Sequence, residues 1–195
     1  MSLVKYYQEL TMLPDAEVSE NHIWNKVYQQ LHIALASQMQ NEEKGKIGVS
    51  FPQYESGKDM RLGSKLRIFA EAEEELAELD ISRCLRVYRD YVHITQIRVV
   101  PDRVKGYSTY RRYHQEASSS QKARRYAKRH NISYDEALKL FPQVLPADDL
   151  PYVQLYSEST KKNYKLYIEK RDNAEENQTG FGSYGLDNES TVPEF

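Results

Sequence analysis

Histidine can take or give a proton near neutrality, because its unperturbed pKa is ~6.5. The chain has five histidines: His22, His32, His93, His114 and His130. His32 stands out by its neighbours. Trp24, Val27, Tyr28, Leu31 and Leu35 recur around it at spacings of three and four, the period of one apolar helix stripe. His32 falls at the border of that stripe, where packing can hold a ring whose edge still meets solvent. A border histidine more often has no chemistry, so this placement makes a candidate rather than an assignment. Hydroxyls that could join it come as Ser157, Ser159 and Thr160 in "YSESTKKNY", and as Tyr184 in the glycine-rich "GFGSYGL". Glycine lets a backbone approach a ligand closely, but each of these signals is weak alone. No His pair or carboxylate cluster has metal-ligand spacing. The single cysteine, Cys84, excludes an intrachain disulfide and a cysteine-based zinc site.

A second chemistry lies in "SSSQKARRYAKRHNIS". Lys122, Arg124, Arg125, Lys128 and Arg129 crowd into eight residues of a chain whose formal net charge is -2. On a helical wheel these cations share one half, and Ala123, Tyr126 and Ala127 share the other. No acid on that face can form i,i+4 pairs with them. Five uncompensated cations repel one another, and a phosphate backbone would relieve the repulsion. The charge therefore points to a polyanion bound at one place. A DNA major groove admits such a helix, and arginine-rich segments also bind structured RNA. Tyr107, Tyr110 and Tyr113 nearby tilt the choice toward RNA through base stacking, with core packing as their other reading. The six acids of "EAEEELAELD", Glu71 to Asp80, read as a solvated helix face.

The elements that must position these residues can be read in outline. "LVKYYQELTML" is a strand, and a helix starts at Ser19, with Ser19 or Asn21 as its cap. "IGVSFPQY" and "KLRIFA" are strands, "EAEEELAELDISRCLRVY" is a helix, and "VHITQIRVV" is a strand. Strand, helix, strand, strand, helix, strand is the ferredoxin-like order, expected over residues 1–100. Residues 101–195 form a divergent C-terminal region. It carries the basic helix, about 118–130, then "SYDEALKLF" as a short helical piece. "YVQLYSESTKKNYKLYIEK" follows as two strands joined by a polar turn, and the glycine-rich tail reads as loop. The fold class expected is α+β. No stretch approaches the ~20 apolar residues of a membrane span. The N-terminus lacks a signal-peptide run, and a lone cysteine suits a reducing cytoplasm, the location expected.

Taken together and in order, "LHIAL", "KIGVSFPQY", "RLGSKLRIF", "ARRYAKRHNIS", "LPYVQLYSEST" and "SYGL" resemble the type I-F CRISPR repeat-processing endoribonucleases. The resemblance spans nearly the whole chain. It implies an enzyme that binds the hairpin repeat of precursor CRISPR RNA and cuts 3′ of the stem. The reaction would need no cofactor or metal: a ribose 2′-hydroxyl attacks the adjacent phosphate, leaving a 2′,3′-cyclic phosphate and a 5′-hydroxyl. By position, His32 would transfer the proton, as base or as acid. Ser157 would hold the nucleophilic ribose, and Tyr184 would orient the imidazole. Arg124, Arg125, Lys128 and Arg129 would grip stem phosphates, Arg112 would read a guanine edge, and Ser159 and Thr160 would seat the backbone. His114 stands where the family carries a base-reading glutamine. Tyr164 stands where an aromatic, commonly Phe, stacks on the terminal base pair. Lys128 replaces a common Arg, keeping the charge and losing the bidentate fork. The resemblance further implies that the product stays bound, with the protein a subunit of a guide-RNA surveillance complex. A second reading is a non-catalytic hairpin-binding subunit of such a complex, and a third is a DNA-binding regulator.

Overall fold

The computed structural model describes residues 4–39, 42–113, 119–140 and 149–195. Strand β1, Tyr6–Met12, alternates as a half-buried strand must, with Gln8, Leu10 and Met12 inward. Helix α1, Glu20–Met39, starts where Ser19 Oγ accepts a hydrogen bond from the His22 amide at 3.3 Å. Its stripe of Ile23, Trp24, Val27, Tyr28, Leu31 and Leu35 is buried. Then come β2 (Gly48–Ser50), β3 (Lys65–Ala70), α2 (Glu73–Leu79), α3 (Ile81–Cys84), a 3-10 turn (Arg86–Tyr88), β4 (Val92–Ile94) and β5 (Arg98–Val99). The sheet runs β2-β3-β1-β4, with β5 also on β1, and every pairing is antiparallel. That is the ferredoxin-like arrangement expected from the element order.

Two of these elements are more broken than their sequences suggest. The helix over 71–88 stops at Asp80, whose left-handed backbone (φ 42°) cannot continue it. Asp80 then caps α3 by accepting from the Arg83 amide at 3.2 Å. The strand over 92–100 divides at Thr95. Its hydroxyl accepts from the Glu9 amide at 3.0 Å, so a side chain stands in for a carbonyl in the ladder.

The C-terminal region builds a second sheet. Its elements are β6 (Gly106–Tyr113), α4 (Ser119–His130), α5 (Tyr134–Lys139), β7 (Tyr152–Ser157), β8 (Lys162–Asn173) and β9 (Val192–Glu194). The strand order is β7-β8-β6-β9. The expected hairpin is β7–β8. Strands β6 and β9 were not legible, because β6 alternates Tyr with Arg and β9 is three residues long. Helix α4 packs on α5 through buried Ala123 and Ala137. A Ser133–Glu136 capping box starts α5.

Aromatic packing joins the sheets. The Phe51 ring lies 5.6 Å from Trp24, 6.0 Å from Tyr28 and 5.3 Å from Tyr110. Burying one such ring contributes ~1.5–3 kcal/mol. Helix α1 also covers the open edge of β7. Asn25 Oδ1 accepts from the Gln154 amide (2.7 Å), and Gln29 Oε1 accepts from the Tyr156 amide (2.8 Å). Edge amides left unpaired would invite association with other strands. Four helix residues advance ~6.0 Å and two strand residues ~6.6 Å, so helix and strand keep step. Past the Gln29–Tyr156 contact, the same direction leads three helix residues on to His32 and one strand residue on to Ser157.

Candidate active site and nucleic-acid interface

Strand alternation selects the face on which the site is built. Leu155 pairs with Tyr164, Ser157 with Lys162, and Arg112 with Ile168. Directly paired residues share a face. Ser157, Tyr164 and Arg112 therefore lie on the face that carries buried Val153, Leu155, Leu166 and Ile168.

Tyr184 arrives on a tight turn. The Gly185 amide donates to Gly182 O at 2.8 Å, and Gly185 O accepts from the Val49 amide at 3.0 Å. Gly185 has φ +70°, and a Cβ there would sit 2.5 Å from Val49 Cγ1. The glycines of this stretch thus let the backbone approach the protein itself. Asp187 ties off the loop. Its carboxylate accepts from the Glu189 and Ser190 amides, both at 2.9 Å, and pairs with Lys44 at 3.0 Å. Burial alone would raise its pKa, but these bonds outweigh burial and hold the carboxyl below its usual range.

His32 meets this turn edge and face. Its ring stacks on Tyr184 with centroids 4.1 Å apart and an interplanar angle of 14°. Its Nδ1 lies 2.8 Å from Ser183 O. A carbonyl only accepts, so Nδ1 carries the hydrogen and Nε2 is left with the lone pair. Burial pushes the imidazole pKa below its ordinary value; the Ser183 bond works against that, and the Arg112 charge adds to the lowering. His32 is therefore neutral at pH 7, with Nε2 ready to accept a proton.

Two further groups close the cluster. The Tyr164 and Tyr184 hydroxyls are 2.8 Å apart. The Arg112 guanidinium stands 5.7 Å from the Tyr164 ring centroid and 5.5 Å from that of Tyr184. Burial and the Tyr184 bond push the Tyr164 hydroxyl pKa upward, so it stays protonated. At the β7–β8 turn, Ser157 Oγ lies 3.2 Å from Ser159 Oγ and accepts from the Thr160 amide at 3.3 Å.

The basic helix is a different kind of surface. Arg124, Arg125, Lys128 and Arg129 are exposed, while Ala123 is buried and Tyr126 and Ala127 are half-buried. Over residues 123–129 the two-faced wheel read from the sequence is thus present. Among the described residues, no ion pair involves these four cations. The Arg124 guanidinium stands 5.8 Å from the Tyr134 ring centroid on α5, and Tyr126 stacks on His130 at 4.1 Å. His114 lies outside the described residues, as does any structural account of its role. Among the described residues, no group of three or more His, Cys, Asp or Glu could hold a metal ion. None of the described helices is long and apolar enough to cross a membrane.

Residues 7–195 match the protein family described as "CRISPR-associated protein (Cas_Csy4)". The chain belongs to this family. A "CRISPR-associated endonuclease Cas6/Csy4" of Pseudomonas aeruginosa (strain UCBPP-PA14) is 34% identical over 194 residues, covering 97% of this chain and 99% of the relative. One with the same description from Escherichia coli (strain UTI89 / UPEC) is 30% identical over 192 residues, with coverage of 97% and 99%. A solved structure titled "An RAMP protein binding different RNA substrates" aligns at TM-score 0.38 and 13% identity, over 97% of this chain and 99% of that one. The resemblance read from six ordered motifs is therefore borne out.

In this Cas_Csy4 chain, the sequence pointed to His32, Tyr184, Tyr164 and Arg112 but not to the contacts that join them. The Ser183 carbonyl left no signal, because any residue type supplies one. The Tyr164–Tyr184 bond and the Arg112 placement depend on the register of three strands and a loop. Asn25 and Gln29 looked like ordinary polar helix residues, yet they set the helix against β7.

Proposed function

We propose that this Cas_Csy4 protein is a metal-independent endoribonuclease that binds the hairpin repeat of precursor CRISPR RNA and cuts 3′ of its stem. The observation that carries this reading is the His32 Nδ1 bond to Ser183 O, which leaves Nε2 as a base. The Nε2 lone pair takes the proton of the ribose 2′-hydroxyl beside the scissile phosphate. The freed oxygen attacks phosphorus, the P–O5′ bond breaks, and the departing oxygen takes a proton from water. The products are a 2′,3′-cyclic phosphate and a 5′-hydroxyl. Ser157 holds the nucleophilic ribose, with Ser159 and Thr160 seating the backbone beside it. Tyr184 keeps the imidazole in plane. Positioned proton transfer of this kind contributes ~10²–10⁴-fold.

Binding is assigned to other residues. Arg124, Arg125, Lys128 and Arg129 grip stem phosphates, Arg112 reads the stem base, and Tyr164 stacks on the terminal pair. His114 reads the adjacent base. Phosphate contacts are the same before and after cleavage, so they hold the product as firmly as the substrate. Retention of the cut RNA suits a subunit of a guide-RNA surveillance complex.

The test is to incubate the protein with a labelled repeat hairpin in EDTA. Cleavage to a cyclic phosphate end is expected at the rate seen without chelator. A requirement for magnesium would overturn the mechanism.

A further inference from the structure

Tyr164 and Tyr184 come from different elements, β8 and the loop that follows it, yet their hydroxyls meet at 2.8 Å. Tyr184 is anchored at its backbone, where its carbonyl accepts from the fully buried Tyr28 hydroxyl at 2.9 Å. A ring held only at its backbone end still turns about its side-chain torsions. A bond at the para hydroxyl fixes the far end as well. That ring is the one stacked on His32 at 4.1 Å and 14°. The Arg112 guanidinium lies over both tyrosines, at 5.7 and 5.5 Å.

We propose that the Tyr164 hydroxyl is a positioning group that clamps the Tyr184 ring against His32, linking the aromatic that meets the RNA stem to the group that moves the proton. The inference rests on the proposed function and deepens it. A stacking platform needs only a ring, and phenylalanine would serve. The hydroxyl is an added polar group in a partly buried place, where it is costly unless bonded. Here its partner is Tyr184, so the extra oxygen serves the imidazole rather than the base pair. Either hydroxyl can donate, and the clamp works in both senses. Arg112 over both rings joins the residue assigned to base reading to the same rigid stack.

The experiment is a double-variant cycle on the full chain with a labelled repeat hairpin. Affinity and single-turnover cleavage at saturating protein are measured separately. Tyr164→Phe keeps the ring, so the hairpin Kd stays within about twofold of wild type, which also reports an intact fold. Its cleavage rate falls about five- to tenfold, the worth of one neutral hydrogen bond. Tyr184→Phe removes the other half of the same bond and falls by a similar factor. The variant carrying both substitutions is no slower than the slower single one, because one bond is lost only once. A wild-type rate for Tyr164→Phe, or two losses that multiply, would overturn the clamp. Cleavage by His32→Ala at the wild-type rate would instead sink the catalytic reading of His32, and the clamp with it.

Discussion

The His32 corner and the α4 surface hold their functional side chains in opposite ways. His32 is held by a stack on Tyr184 and a hydrogen bond to Ser183. Its neighbour Tyr184 is bonded at both ends, to Tyr28 and to Tyr164. Arg124, Arg125, Lys128 and Arg129 of α4 stand exposed, and Arg124 touches only an aromatic ring on α5 among its described contacts. Proton transfer needs atoms placed within a few tenths of an ångström, so it recruits several elements. Gripping a polyanion needs charge density and reach, which a single helix face supplies.

That contrast can be broken by separating cutting from holding. The largest effect belongs to His32→Ala, which should slow single-turnover cleavage at least ~10²-fold. Its hairpin Kd should stay within about twofold. Equal loss of rate and affinity would make His32 a packing residue. The converse is the double variant Arg125→Ala, Arg129→Ala. Its affinity should fall ~10- to 100-fold at moderate salt, and the slope of log Kd against log salt should flatten by about two. Its cleavage rate at saturating protein should match wild type. An unchanged salt slope would place the stem on another surface.

Two smaller effects sharpen the picture of the corner. Gly185→Ala forces a side chain into left-handed backbone and onto Val49, so it should cost ~1–3 kcal/mol of stability, read as a lower Tm. It should slow cleavage more than it weakens binding, since the turn carries Tyr184 and not the cations. The pH behaviour follows from His32, whose pKa is lowered. A base with a lowered pKa loses its activity on the acid side, so the acid limb of the free protein's profile should lie below pH ~6.5. Arg112→Gln removes one cause of the lowering and should move the His32 titration upward, as followed by its ring proton shifts in the free protein. A downward move would contradict the charge effect.

Much of this was legible in local pattern. The α1 stripe and the border place of His32 follow from a period of three and four. The basic face of α4 follows from the same geometry, and the ferredoxin-like order follows from which runs alternate and which recur. Strand β6 escaped because its Tyr and Arg alternation reads equally as a binding loop. Strand β9 escaped because three residues make no pattern. Thr95 hid a break in a run of β-branched residues, because its hydroxyl competes with the ladder only once β1 lies beside it.

The sequence by itself determined which residue types face which way on each helix, because that depends on neighbours three or four positions apart. Six ordered motifs also carried it to the family, which the match over residues 7–195 bears out. Tertiary structure decided what His32 meets. Its partner Ser183 is 151 positions away along the chain, and Tyr184 is held by Tyr28 and Tyr164 from two further elements. Such contacts depend on strand register and loop closure, which no local period encodes. The tautomer of the imidazole, and hence the atom free to take a proton, exists only once those distant segments have packed together.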